Sequence, residues 1–335
     1  MATPAGGTRP TIYDVAKHAS VSKSLVSLVL NNSPSVSEAK RTAVNQAIET
    51  LGYRPSKAAA SLASEKTRTI GLVVDDFQNP WFVDLLQGLR TVLLPQGYDV
   101  AVREHFQLGE ETFNGITGFL DTQADGLVIA AEPGAGLPAI HIPTVVEGTR
   151  LHEVAGSDEV SCDQTTGTRL ILDHLHEQGH THIGHVSGAG GSAETRREAY
   201  EDWMTETGLL PQVAGVRNDT NEEGGYAGGV ELLERDPNTT AILAANDTMA
   251  LGVRAALQEA GLRVPQDIAL AGYDNSQLAR SRFLDLTTVD TKGIEVGQAC
   301  GEALLRRLGD PGASRSKVVL QPQLVVRSST ARQER

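Results

Sequence analysis

Apolar residues recur at helical spacing three times in the first fifty positions, and the polar residues between them mark where each helix starts and stops. Ile12, Val15, Ala16 and Ala19 form one stripe, opened by Thr11 and Asp14 in the pattern of a capping box. The link Ala19-Ser20-Val21 is long enough only to turn the chain. Ser22 then caps a second helix whose inward face is Leu25, Val26, Val29 and Leu30, leaving Lys23, Ser24, Ser27, Leu28 and Asn31 outward or flanking. After a loop over 31–36, Ser37 opens a third helix carrying Ala43, Val44, Ala47, Ile48 and Leu51, and Gly52 stops it. A helix, a tight turn and a second helix with a polar, cationic face is the sequence form of a helix-turn-helix, which lays its second helix in the major groove of DNA. An ordinary helical hairpin has the same apolar spacing, so the rest of the chain must separate the two readings.

Residues 53–64 hold good helix formers over only two or three turns, with Leu62 the large apolar side chain of an alanine-rich run. A helix this short is marginal in water and needs a partner surface to form. A plain linker is the alternative, although linkers more often use Gly or extra Pro. From Thr69 the pattern changes. Apolar runs of strand length at 70–74, 126–130, 182–186, 240–244 and 267–271 alternate with helical segments, and Gly97, Gly179, Gly208 and Gly261 follow four of those helices. Continuous apolar strands alternating with helices predict parallel sheets covered on both faces. Roughly 265 residues are too many for one such sheet, so two are expected.

Composition changes this picture in one respect. Of 335 residues, 40% are hydrophobic and 21% charged, ordinary for a soluble globular chain. No apolar run approaches the roughly 18 residues of a membrane span, and the N-terminus has no apolar signal region, so a flexible arm and a cytoplasmic protein are expected. The net charge of −13 argues against a nucleic-acid partner until its distribution is considered. Through Arg68 there are nine basic residues against four acidic ones, +5, so the remainder carries −18. A cationic head can hold phosphate while the anionic body resists non-specific adhesion to a polyanion. Cys162 and Cys300 have no metal-ligand spacing, and reduced, buried thiols are expected. The five histidines between His174 and His185 fall on different faces of a helix and across a turn, which favours no zinc site.

Polar residues gather where an open α/β sheet binds ligands, beyond the carboxyl ends of strands. Asp75, Asn79, Trp81 and Phe82 follow the first strand; Arg103 ends the next; Arg196 lies early in the helix after a glycine-rich turn; Asn246 and Asp274 follow two later strands. Carboxylates, amides, arginines and aromatics at one rim suit a polyhydroxylated ligand with a ring to stack. The run Gly188-Ala-Gly-Gly191 lacks the spacing of a dinucleotide fingerprint. No nucleophile elbow, P-loop or acid–base pair stands out, so neither an enzyme nor a cofactor is expected.

The blocks Ile12-Tyr-Asp-Val-Ala16, Val21-Ser-Lys-Ser-Leu-Val-Ser27, Val29-Leu-Asn31, Leu51-Gly-Tyr-Arg-Pro55, Ile70-Gly71, Asn79-Pro-Trp-Phe82, Leu175 to Ile183, Ala244-Ala-Asn-Asp247, Met249-Ala-Leu-Gly252, Val264-Pro265, Gly272-Tyr-Asp274 and Leu286-Thr-Thr-Val289 occur in order along the chain. In these blocks the chain resembles the LacI/GalR family of bacterial transcription regulators over essentially its whole length after the arm. The resemblance implies a three-helix helix-turn-helix head joined to a periplasmic-binding-protein-like α/β core of two lobes with parallel sheets. The implied division is an arm over 1–10, a head over 11–55, a hinge helix and linker over 56–68 and an effector-binding, dimerising core over 69–335. Lobe 1 would take about 69–163 and 293–320, and lobe 2 about 164–292 and 321–335. By the same resemblance Lys23 and Ser24 face bases, with Leu28 beside them. Thr11, Tyr13, Ser22, Ser27, Asn31 and Tyr53 position the head on the DNA backbone. The hinge, with Lys57, Ala59 and Leu62, meets the minor groove, where Leu62 wedges into a base step.

Two departures stand out. Many members carry Arg where this chain has Leu28, so a guanine reader is missing and a thymine methyl is the better partner. Many also carry an acidic residue at Gly148, and an alanine or serine at Trp81 is not unusual, so the usual sugar contacts are not assumed to be complete. The expected function is a homodimeric repressor on a partly palindromic operator, switched by a sugar-like effector whose binding closes the lobes, with no membrane partner. A solute-binding or sugar-metabolising α/β protein is the alternative, and it leaves the cationic head without a role.

Overall fold

The computed structural model describes residues 10–30, 33–53, 67–108, 111–134 and 137–331, and the chain divides into two units, 1–67 and 68–335. Asn31, Lys57, Ala59 and Leu62 lie outside the described residues, as do nearly all of the expected arm and hinge.

The first unit is built from α1 (Ile12–His18), α2 (Lys23–Leu30) and α3 (Glu38–Leu51). The Asp14 carboxylate accepts from both the amide and the hydroxyl of Thr11, at 2.8 and 2.7 Å, which ties off the start of α1. Ser22 Oγ accepts from the Leu25 amide at 3.2 Å and does the same for α2. Gly52 ends α3 in the left-handed region at φ 60°, where a Cβ would be strained. Val15, Ala16, Val26, Val29, Val36, Val44, Ala47 and Tyr53 are buried together, with Ile12, Leu25, Leu30, Ile48 and Leu51 packed around them. Tyr53, expected to touch the DNA backbone, is therefore one wall of the head's core.

The second unit contains two parallel sheets. The first has six strands in the order β13-β7-β6-β5-β1-β2: Lys317–Leu320, Asp158–Cys162, Thr144–Glu147, Gly126–Ala130, Thr69–Val74 and Asp99–Glu104. The second has four in the order β11-β10-β8-β9: Ala269–Ala271, Ala241–Ala244, Ile183–Val186 and Gln212–Ala214. A small hairpin joins β3 (Phe106–Leu108) to β4 (Glu111–Phe113), and β12 (Thr288–Asp290) pairs with β14 (Gln323–Val325) antiparallel.

Strand alternation feeds a core on each face of each sheet. From β1, Ile70, Leu72 and Val74 enter the core beneath α4 (Trp81–Leu93) and α10 (Gly293–Gly309), while Val73 enters the opposite one with Phe119 of α5 (Gly115–Asp121). From β10, Ile242 and Ala244 pack toward α8 (Glu222–Arg235) and α9 (Asp247–Glu259). Ala241 and Leu243 pack toward α6 (Gln164–Glu177) and α7 (Gly191–Glu206). Helices α4 and α10 approach until a Cβ on Gly88 would lie 2.0 Å from the Ile294 carbonyl oxygen, so that crossing requires glycine. The chain passes between the sheets three times, after β7, after β12 and after β13.

Candidate ligand cleft and DNA-binding head

A cleft of about 710 Å³, including its open mouth, lies at the carboxyl ends of both sheets. From the first sheet it takes Asp75, Asn79, Trp81, Phe82, Ala130, Glu132, Glu147 and Arg150. From the second it takes residues 189–193, Arg196, Thr220, Asn246 and Asp274, with Cys162, Gln164 and Thr291 from the end of β7 and two of the crossings. Seven of the eight residues picked out for a ligand from the sequence meet here. Arg103 does not: β2 is the edge strand, and its guanidinium lies over the Phe119 ring at 4.8 Å. Glu132, Glu147, Arg150, Gln164, Ser192 and Thr291 belong to the cleft without having been anticipated.

Each polar group has its own chemistry. The Arg196 guanidinium lies 3.9 Å above the Tyr273 ring. It donates to Gln164 Oε1 at 2.8 Å, to Asp274 Oδ1 at 3.4 Å and to the Ala245 carbonyl. Asp274 sits at φ 104°, a strained backbone for a residue with a Cβ, and its amide donates to the Val289 carbonyl. Burial pushes its carboxyl up to about 8 despite Arg196. Burial likewise raises Glu147 to about 7, although Arg150 NH2 donates to it at 3.0 Å. Asp75 is raised by burial too, against the field of Arg150. Where the family resemblance implies an acidic side chain, Gly148 turns the chain at φ 76°, and the neighbouring Glu147 carboxyl lines the cleft.

Three expected ligand contacts are partly committed to the fold. Asn246 Oδ1 caps α9 by accepting from the Met249 amide at 2.7 Å, and its Nδ2 donates to the Thr220 carbonyl at 2.9 Å. Asn79 Oδ1 accepts from the Trp81 amide at 3.0 Å. Trp81 is buried, with Nε1 donating to Thr291 Oγ1 at 2.8 Å, which leaves the half-buried Phe82 as the more available ring.

The glycine-rich turn before α7 packs against a loop of the first sheet. A Cβ on Gly191 would lie 2.5 Å from the Thr149 carbonyl oxygen, so the first-sheet loop 149–151 rests directly on the start of α7. Glu132 seals this contact. Its carboxylate accepts from the amides of Leu151 and His152 at 2.8 and 3.3 Å, and from the Gly191 amide, across the cleft, at 3.2 Å. Among the described residues no group of three or more His, Cys, Asp or Glu side chains is placed to hold a metal ion.

In the head, Thr11, Tyr13, Ser22, Lys23, Ser24 and Leu28 are exposed and Ser27 is half-buried. Tyr13 is 65% exposed and lies 5.0 Å from the Lys23 ammonium, which sits over its ring. This brings the start of α1 and the start of α2 to one polar surface, with Leu28, 42% exposed, one turn further along α2.

Residues 11–56 match the family described as "Bacterial regulatory proteins, lacI family", and residues 172–330 match "Periplasmic binding protein-like domain". The HTH-type transcriptional repressor PurR of Aliivibrio fischeri is 31% identical over 337 residues, covering 96% of this chain and 98% of that protein. The fold is similar to the lac repressor dimer bound to operator and the anti-inducer ONPF, with TM-score 0.81, 26% identity, and coverage of 96% and 99%. It is also similar to a LacI family regulator from Enterococcus faecium with bound ribose, with TM-score 0.70, 27% identity, and coverage of 79% and 100%. Among the described residues no helix is long and apolar enough to cross a membrane.

Proposed function

The chain belongs to the LacI family of bacterial regulatory proteins, and on that premise we propose that it is a repressor whose operator affinity is set by a small hydroxylated ligand in the cleft. It is a ligand-responsive, DNA-binding transcriptional regulator. The observation that carries the finer reading is the joining, in one chain, of a head presenting Lys23, Ser24 and Tyr13 on one surface to a cleft lined from both sheets. A ligand touching Asp75 and Phe82 on one side and Arg196 and Asp274 on the other binds the closed arrangement better than an open one. That difference in affinity is what lets it shift an equilibrium. A homodimer sets one head on each half of a partly palindromic operator. Lys23, Ser24 and Leu28 then face base edges, and Thr11, Tyr13, Ser22 and Ser27 hold the phosphate backbone. Leu62, with Lys57 and Ala59, is assigned to the minor groove on the resemblance alone.

Binding to a palindromic DNA measured at two salt concentrations tests the reading. With 6–10 phosphate contacts, affinity is expected to fall by about 10³-fold or more between roughly 50 and 200 mM salt. Leu62→Ala is expected to weaken operator binding while ligand binding persists. Salt-independent binding, or a Leu62→Ala variant equal to the parent, contradicts it. A solute carrier or a sugar-metabolising protein would use the cleft alone and give residues 11–56 nothing to do.

A further inference from the structure

The cleft is lined by more carboxyl groups than guanidiniums. Four carboxylates line it, from Asp75, Glu132, Glu147 and Asp274, against two guanidiniums. Both guanidiniums are committed internally: Arg150 to Glu147, and Arg196 to Asp274, Gln164 and a backbone carbonyl. The start of α7, where a ligand's phosphate or carboxylate would ordinarily settle, is already held by the Glu132 carboxylate. Asp75 remains. Among the described residues no side chain donates a hydrogen bond to it, and only the amides of its own turn and the field of Arg150 reach it.

Resting on the proposed ligand response of this cleft, we propose that its effector is a hydroxylated amine of amino-sugar size, bound with its ammonium group against Asp75. A hydroxyl would give Asp75 a hydrogen bond but leave its charge unbalanced in a half-buried site, whereas an ammonium supplies both. The Phe82 ring lines the same cleft and favours the same group, since an aromatic face attracts a cation. An anionic ligand meets an unbalanced carboxylate and finds every cationic feature already taken. The raised carboxyls of Asp75, Glu147 and Asp274 are consistent with this surplus of carboxyl groups: burial disfavours their ionised forms, and a bound cation relieves that.

Matched sugars decide the matter on the full-length chain. Glucosamine, galactosamine and mannosamine, the three parent hexoses and their 6-phosphates are compared by thermal shift at pH 7.5, and any binder is titrated by calorimetry. At least one amino sugar is expected to bind about tenfold or more tighter than its neutral parent, with no binding of the phosphates. Asp75→Asn is expected to reduce that preference to about twofold or less. A neutral or phosphorylated sugar binding as tightly as its amino counterpart overturns the inference, and so does the absence of any amino-sugar shift. The regulatory reading fails separately. If a neutral sugar binds and changes operator affinity, regulation stands and the charge argument falls; if a bound amino sugar leaves operator affinity unchanged, the reverse holds.

Discussion

Leu28 is the residue at which the proposed base reading departs from an arginine-bearing head. It puts an exposed apolar side chain on α2 one turn beyond Lys23 and Ser24, suited to a thymine methyl and unable to reach guanine with hydrogen bonds. Leu28→Arg is therefore expected to move one operator position from T·A toward G·C by about 1–3 kcal/mol, read by competition among operator variants. Unchanged preference at every position would remove Leu28 from the base-reading set. Asp274 and Glu147 carry a second expectation at this scale. Both are raised by burial, to about 8 and about 7, while unfolded carboxyls titrate near 4. The folded chain therefore keeps protons that the unfolded chain has lost. The stability these groups contribute is complete below about pH 4 and falls as pH rises through 7 and 8, by up to about 1.4 kcal/mol per pH unit for each full proton. The melting temperature should decline between pH 5.5 and 8.5, and Asp274→Asn should flatten that decline. A parallel slope in the variant would place the lost protons elsewhere.

Among the elements, the start of α7 shows most clearly what a motif can and cannot say. The glycines before it were legible, and so was Arg196 a turn further on, but their use was not. Gly191 is glycine because the 149–151 loop of the other sheet presses on it, a contact made between residues about forty apart. Gly191→Ala fits a helical backbone and is expected to push that loop away. The result should be roughly tenfold weaker binding of whichever sugar binds the parent, measured by calorimetry. Unaltered affinity would mean that this contact does not set closure. Strand ends were also unevenly legible. Asp75, Asn246 and Asp274 follow apolar runs that announce their strands. Glu147 ends β6 and Arg150 follows it, and this four-residue strand is too short to separate from its loop by pattern. Arg103 ends a strand as expected, yet that strand is the sheet's edge, and strand order is not carried by alternation.

At the scale of the whole molecule the charge divides with the two units: residues 1–67 carry eight basic side chains against four acidic ones, +4, and residues 68–335 carry the remaining −17. The chain from Arg68 onward holds every cleft residue and both sheets. Expressed alone, it is expected to bind the same sugar within about twofold of the full chain and to show no DNA binding even at low salt. Retained DNA binding by this core would relocate the nucleic-acid surface and contradict the role given to the head.

By itself the sequence determined the local pieces: the three-helix head, its caps at Thr11 and Ser22, the alternation that makes two parallel sheets, and seven of the cleft's residues. These follow from spacing over a few turns, where 3.6- and 2-residue periods and capping chemistry act within one segment. Tertiary structure alone decided that Tyr53 lines the head's core, that Arg103 faces away, that Glu132 bridges two lobes, and that Arg150 and Arg196 are already matched. Pairing, burial and the balance of charge in a cleft depend on which distant segments share a space, and only the folded chain brings them together.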